Sequence, residues 1–134
     1  MNKRIVSNHR KAILLLFSFC VLISSSVLSA EDISKEEIKK LLAESYTASG
    51  DYQNAIKQYR EILEKEPANI SIQRELAQAY IWNKQYGQAK EILKVILENN
   101  PQDSEAKLLL AKALQYSGEV KEAIKIYKEL LQEK

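Results

Sequence analysis

The chain has one histidine, His9, and one cysteine, Cys20, among 134 residues. These are the side chains most used to activate a nucleophile or to hold zinc. Both fall within positions 1–30. Beyond that point no Ser-His or Cys-His pair can be built, no zinc site of His and Cys, and no disulfide. Carboxylates remain, and a pair of them can serve as general acid and base. Here Asp and Glu alternate with Lys along what read as exposed helix faces. No glycine-rich phosphate loop and no nucleophile motif appears. The pattern is not that of an enzyme, and no cofactor is expected. The residues that stand out belong to binding chemistry. Trp82 is the single tryptophan, and Tyr116 follows it on the C-terminal side. Large aromatic side chains are frequent anchors for a partner. Trp82 has a second possible use, packing against a neighbouring element.

The segment 1–30 differs from the rest. "MNKRIVSNHRK" is basic without an acid, "AILLLFSFCVLI" is uncharged, and "SSSVLSA" is mostly small and polar. That order is the n-, h- and c-region order of a secretory signal peptide. Cleavage is expected after Ala30, with Ser29 and Ser26 as alternatives. The uncharged span 12–30 is also long enough to remain as a membrane anchor, although Ser24, Ser25 and Ser26 weaken its end. A lipoprotein signal is disfavoured because Phe19, not a small residue, precedes Cys20. Loss of Lys3, Arg4, Arg10 and Lys11 from the 20 basic side chains leaves 16 against 18 acidic ones, a net charge of −2. A nucleic-acid partner, which calls for a basic face, is not expected.

What must position Trp82 and Tyr116 is a repeat. "GDYQNAIKQY" (50–59), "KQYGQAKEIL" (84–93) and "GEVKEAIKIY" (118–127) begin at a constant interval (84 − 50 = 118 − 84 = 34). Trp82 and Tyr116 are separated by that same interval. Superposed, residues 36–69, 70–103 and 104–134 share Leu42-Ala43, Leu76-Ala77 and Leu110-Ala111. They also share Ala55, Ala89 and Ala123, then Tyr59, Leu93 and Tyr127, then Ile62, Ile96 and Leu130. Such a period marks a solenoid of stacked units. Each unit reads as two helices. Ala55, Ile56, Tyr59, Ile62 and Leu63 make one apolar stripe at helical spacing, and the later units repeat it. Gly50 and Gly118 are expected to end first helices, and Pro67 and Pro101 to stop second ones. Ser34 with Glu37 reads as a capping box, and Ile33 with Ile38 as a hydrophobic staple. The small alanines let helix axes approach closely.

The Leu-Ala, Tyr, Ala and Pro set at this period resembles the tetratricopeptide repeat family, over residues 36–134. It departs at the family's Trp place (Lys39, Gln73, Lys107), at its late Ala place (Ile62, Ile96, Leu130), and in the third unit's missing proline. The resemblance implies an all-α solenoid of three helical hairpins following the signal segment and a lead-in at 31–35. It also implies a concave groove, lined by first helices, that takes a peptide or protein. Its lining would be Glu37, Lys40, Glu44 and Thr47, then Arg74, Gln78, Ile81 and Trp82, then Leu108, Leu109, Lys112, Gln115 and Tyr116. Trp82 and Tyr116 would form one apolar shelf.

Family members that hold acidic chaperone tails carry a clamp of Lys, Asn and Arg. Lys40 fits its first Lys. The other places hold Glu44, Glu75, Glu105 and Leu109, and the carboxylates among them would repel such a tail. Solenoids commonly close with a polar capping element, whereas this sequence stops with the third unit's second helix. The edge bearing Ala123, Tyr127 and Leu130 is therefore expected to pack on a second copy or a partner. Asn69-Ile70-Ser71 is a glycosylation sequon of little weight. The functions expected are an exported scaffold or adaptor of the periplasm or cell envelope, or a chaperone-like binder that uses the groove's apolar residues promiscuously. Membrane attachment is expected only if residues 12–30 are retained.

Overall fold

A computed structural model describes residues 33–132. The signal-segment and anchor expectations for residues 1–30 lie outside the described residues. Among the described residues there are six α-helices and no strands. They are α1 (Lys35–Ser49), α2 (Tyr52–Leu63), α3 (Ile70–Trp82), α4 (Tyr86–Asn99), α5 (Ser104–Tyr116) and α6 (Val120–Gln132). No helix among them is long and apolar enough to cross a membrane.

Four of the helices start at a side chain that satisfies an orphan backbone N–H. The Ser34 hydroxyl accepts from the Glu37 amide at 3.0 Å, which is the expected cap of α1. The two residues of the expected staple, Ile33 and Ile38, are each mostly exposed. Asp51 caps α2, Asn69 caps α3 and Asp103 caps α5. Asn69, conspicuous in the sequence only as a sequon, thus serves a helix start. At α4, by contrast, Gln85 makes no such bond.

The three reversals inside the hairpins share one geometry. The amides of Asp51, Gln85 and Glu119 donate to the carbonyls of Tyr46, Tyr80 and Leu114, at 2.8–2.9 Å. The amides of the preceding residues Gly50, Lys84 and Gly118 donate to Thr47, Ile81 and Gln115. This is the Schellman ending, and it requires a left-handed residue. Gly50 (φ 81°) and Gly118 (φ 92°) adopt it freely, while Lys84 is forced into it at φ 60°.

Consecutive helices pack antiparallel all along the series, and α3 also packs on α5. No comparable packing joins α2 to α4 or α4 to α6. The first helices of the second and third units therefore approach each other on one side, while the second helices splay apart on the other. Over units two and three the curve is thus concave toward α3 and α5; no comparable packing joins α1 to α3. All six aligned alanines, Ala43, Ala77, Ala111, Ala55, Ala89 and Ala123, are buried. Between them lie two cores. One holds Ile56, Tyr59, Ile62, Ile72, Leu76 and Ala79, and the other holds Ile81, Leu93, Ile96, Leu109, Leu110 and Leu114 among its members. Tyr59, Leu93 and Ile96 are the largest side chains wholly removed from water. Burial of a large apolar side chain of this kind contributes about 1.5–3 kcal/mol.

Two outcomes are expected. Ala89→Leu overpacks the middle unit and lowers stability by about 1–3 kcal/mol, read as a lower urea midpoint; an unchanged midpoint would contradict the close approach at α4. Lys84→Gly relieves the left-handed strain and raises stability by up to about 1 kcal/mol, while Gly118→Ala lowers it by a similar amount. Thermal unfolding of the two variants checks the opposite signs.

Candidate functional site

The first helices α1, α3 and α5 carry the charged and aromatic residues of the expected groove, and much of their charge is already paired. Arg74 on α3 is half-buried. Its Nη1 lies 2.7 Å from Asp103 Oδ2 and its Nε 2.9 Å from Glu105 Oε2. Asp103 is buried, and its other oxygen accepts from the Ala106 amide at 2.9 Å. One carboxylate thus caps α5 and anchors the arginine of the preceding unit. Arg74 is in the expected lining, but its charge is engaged in holding units two and three together. Lys40 likewise lies 3.9 Å from Glu44, one turn away. Lys90 on α4 pairs with Glu119 in the turn before α6.

Glu75 takes no part in these pairs, and it is half-buried. Burial raises its pKa above the ordinary carboxylate range, and the carboxylates of Glu44 and Glu105 push the same way against Lys40 and Arg74. Nearby, burial pushes the Tyr59 hydroxyl upward too, and Glu75 and Glu44 add to this. The Thr47 hydroxyl pulls Tyr59 the other way, though no bond of full hydrogen-bond geometry engages that buried Thr47 oxygen. The sequence showed Glu75 only as a mismatch to a clamp; the charges that act on it come from three different helices.

The aromatic residues form a second set. Trp82, at the end of α3, has its ring 5.7 Å from that of Tyr52 at the start of α2, tilted by 32°. Tyr116, at the end of α5, has its ring 6.3 Å from that of Tyr86 at the start of α4. The two pairs are one repeat apart in both members. Trp82 therefore packs on the neighbouring unit and still leaves 44% of its surface open, and Tyr116 leaves 58%. The packing use expected for Trp82 is present, and part of its ring stays open to solvent. Trp82 and Tyr116 make no ring contact with each other, so the single shelf is instead two steps, each backed by its own tyrosine. Sequence reasoning missed Tyr52 and Tyr86 as supports, although they too are separated by one repeat.

Two expected lining residues are corrected. Ile81 and Leu109 are buried in the core shared by α3, α4 and α5. The direct packing of α3 on α5 covers them, so neither offers its side chain to a partner. Gln78 and Lys112 are half-buried; Glu44, Leu108 and Gln115 are exposed. Gln115 accepts from the Tyr127 hydroxyl at 2.9 Å. Ala123, expected on the C-terminal edge, is also corrected: it is buried in the core that joins α5 and α6. Tyr127 and Leu130 remain partly open.

The convex side carries two clefts between α2 and α4, of about 600 and 350 Å³. They share Leu76 and Ile92 as floor. The larger is rimmed by Arg60, Asn83, Gln85 and Gln88, and the smaller is apolar, with Val95 at its edge. They follow from the splay of the second helices. Among the described residues no group of His, Cys, Asp and Glu is placed to hold a metal ion.

Family models described as tetratricopeptide repeat match residues 46–113 and 108–134. The chain belongs to the tetratricopeptide repeat family. No curated protein matches the sequence. Among solved structures, it is similar to the Sgt2 tetratricopeptide domain of Aspergillus fumigatus (TM-score 0.66, 24% identity). That alignment covers 73% of this chain and 65% of that one, so this chain spans just under two thirds of its length. It is similar to the second such domain of human RPAP3, solved with an HSP70 peptide (TM-score 0.62, 21% identity, 70% of this chain and 78% of that one). It is also similar to MamA from Desulfovibrio magneticus RS-1, solved from position 41 to its end (TM-score 0.65, 20% identity, 73% and 55%). At these identities the likeness is one of fold.

The state of Glu75 has a measurable consequence. Its folded pKa lies above its unfolded one, so the folded chain binds that proton more tightly. Stability therefore falls as pH rises between the two values, and the penalty is fully present above the folded one. Glu75→Gln is expected to raise the urea midpoint at pH 7 and to give no gain near pH 4. An equal gain at both would place the cause elsewhere than in the charge.

Proposed function

We propose that this chain is an exported protein-interaction module, a scaffold or adaptor of the periplasm or cell envelope. It holds a peptide or protein partner along the first helices α1, α3 and α5. The observation that carries the reading is the pair of stepped aromatic side chains, Trp82 and Tyr116. They are open to solvent yet held in place by Tyr52 and Tyr86. A rigid, exposed aromatic group loses little freedom when a partner covers it, which is what a binding anchor needs. Export is supported by the order of basic, apolar and small residues in 1–30. Membrane attachment follows only if that segment stays uncut.

The RPAP3 domains were solved with chaperone peptides ending in acidic residues. The charge of this groove argues against a ligand of that type. Glu44, Glu75 and Glu105 occupy three of the places where a clamp would need nitrogen donors. A chaperone-like role, binding many unfolded chains, is the alternative. It needs a broad apolar surface, and burial of Ile81 and Leu109 reduces that surface to Trp82, Leu108 and Tyr116. The reduced surface favours one defined partner.

The test is affinity capture with crosslinking of a C-terminally tagged chain in cells, alongside the Trp82→Ala/Tyr116→Ala variant. One dominant partner, lost in a variant that keeps its helicity, is the expected result. Many unrelated exported chains would instead support the chaperone reading. One partner retained by the variant would move the site away from the groove.

A further inference from the structure

The repeat itself shows which face covers which. Inside the chain, α3 lays Ile72, Leu76 and Ala79 on α2, where they join Ile56, Tyr59 and Ile62 in one core. One unit later, α5 places Ala106, Leu110 and Ala113 in a core with Leu93 and Ile96 of α4. The same places on α1 are Ile38, Leu42 and Ser45, all exposed. Leu42 is 41% open where Leu76 is 4% open. The places on α6 that match the covered faces of α2 and α4 are Ile124, Tyr127, Leu130 and Leu131. Ile124 is 47% open where Ile56 is 8%, and Tyr127 and Leu130 are partly open where Tyr59 and Ile62 are buried. The described solenoid thus carries, at its two ends, the two halves of the interface that it builds twice internally.

We infer that the face of α6 bearing Ile124, Tyr127 and Leu131 docks α1 of a second copy, through Ile38 and Leu42, in the register of the internal repeat. This makes the association expected from the C-terminal edge specific, and it is independent of the groove reading. The contact is heterologous: each copy uses a different face at each end. Repetition of such a contact gives an open series of copies unless the rotation closes a ring. Continuity with the internal interface argues for a second copy rather than an unrelated helix, because α1 already carries the apolar spacing that α6 accepts.

The junction is weaker than the internal ones, and the register says why. Arg74 and Asp103 correspond there to Leu108 and Lys35 of the next copy, and Lys90 and Glu119 to Ile124 and Asp51. Tyr86 and Tyr116 correspond to Val120 and Ala48. Neither ion pair and no aromatic stack is reproduced. Apolar burial alone holds the copies together, so assembly depends on concentration and persists in high salt.

The test uses the full chain in cells, with Cys20→Ser to remove the native thiol. Leu42→Cys and Ile124→Cys are chosen because their internal counterparts, Leu76 and Ile56, border one cleft. A short bismaleimide is expected to give a ladder of dimer, trimer and longer species when both cysteines are in one chain. Two single-cysteine chains expressed together are expected to stop at dimer. Leu131→Glu in the two-cysteine chain is expected to remove the ladder while helicity is retained. No ladder from a folded two-cysteine chain overturns the inference. So does a crosslink formed by Ile124→Cys alone, which would mean a symmetric pair, or a crosslink to a different protein. Light scattering of the unsubstituted full chain decides independently. A mass that grows past dimer with concentration supports the proposal, and a monomer or a dimer that grows no further overturns it. Trp82 and Tyr116 lie outside both faces, so failure of the groove reading leaves these outcomes unchanged.

Discussion

Everything in this fold depends on how near two helix axes can come at six alanines. Ala43 and Ala55, Ala77 and Ala89, and Ala111 and Ala123 are all closed to solvent. A methyl group at each of these places sets the distance inside a hairpin and between hairpins. With that distance set, the larger residues one and two helical turns further on meet in register, and Tyr59, Leu93 and Ile96 lose almost all contact with water. The reversals supply the other half of the constraint. Each needs one residue in the left-handed region, and the second unit keeps the geometry although the residue there is Lys84. The packing thus outweighs a local preference of about 1 kcal/mol.

The period was legible because the residues that produce it are few and recur at a fixed interval. Leu42, Ala43 and Ala55 have identical counterparts in both later units, and helix number and hairpin pairing follow from them. The site was less legible, for two reasons. Ile81 and Leu109 sit one step round the helix from true surface positions. Whether that step is open or closed depends on how near α3 comes to α5, which no local pattern records. The fate of Arg74 turns on Asp103 and Glu105, which belong to the far side of an interface that exists only after folding. Ala123 shows the same limit on the other side of the solenoid. Its helix is partly open, but its own methyl faces α5.

Charge in this chain is arranged mostly for the chain's own use. Most basic residues of α1 and α3 are engaged internally: Arg74 with Asp103 and Glu105, Lys40 with Glu44, Lys39 with Glu61. Such pairing leaves the net charge of these helices unchanged and ties their cations to carboxylates of the same chain. Glu75 carries the remainder, half-buried and within the field of two other carboxylates. Of the ion pairs, those of Arg74 lie across a joint between units, whereas Lys39 and Lys40 are engaged within the first hairpin.

The double duty of Asp103 makes the joints unequal. The carboxylate that caps the start of α5 is the same one that holds an arginine of the unit before. Lys90 and Glu119 add a second tie across the same boundary. Between units one and two the cap is Asn69, whose side chain bonds Ile72 and Glu66 close by in the sequence. In a linear array, cooperativity is the ratio of coupling between neighbours to the stability of each. The second and third hairpins are coupled through helix initiation itself, whereas the first is joined to them by packing and by the bond from Gln73 to the Pro67 carbonyl in the connecting turn. The described repeats form a quasi-one-dimensional array with one stronger and one weaker joint, and partial opening is expected to begin at the weaker one.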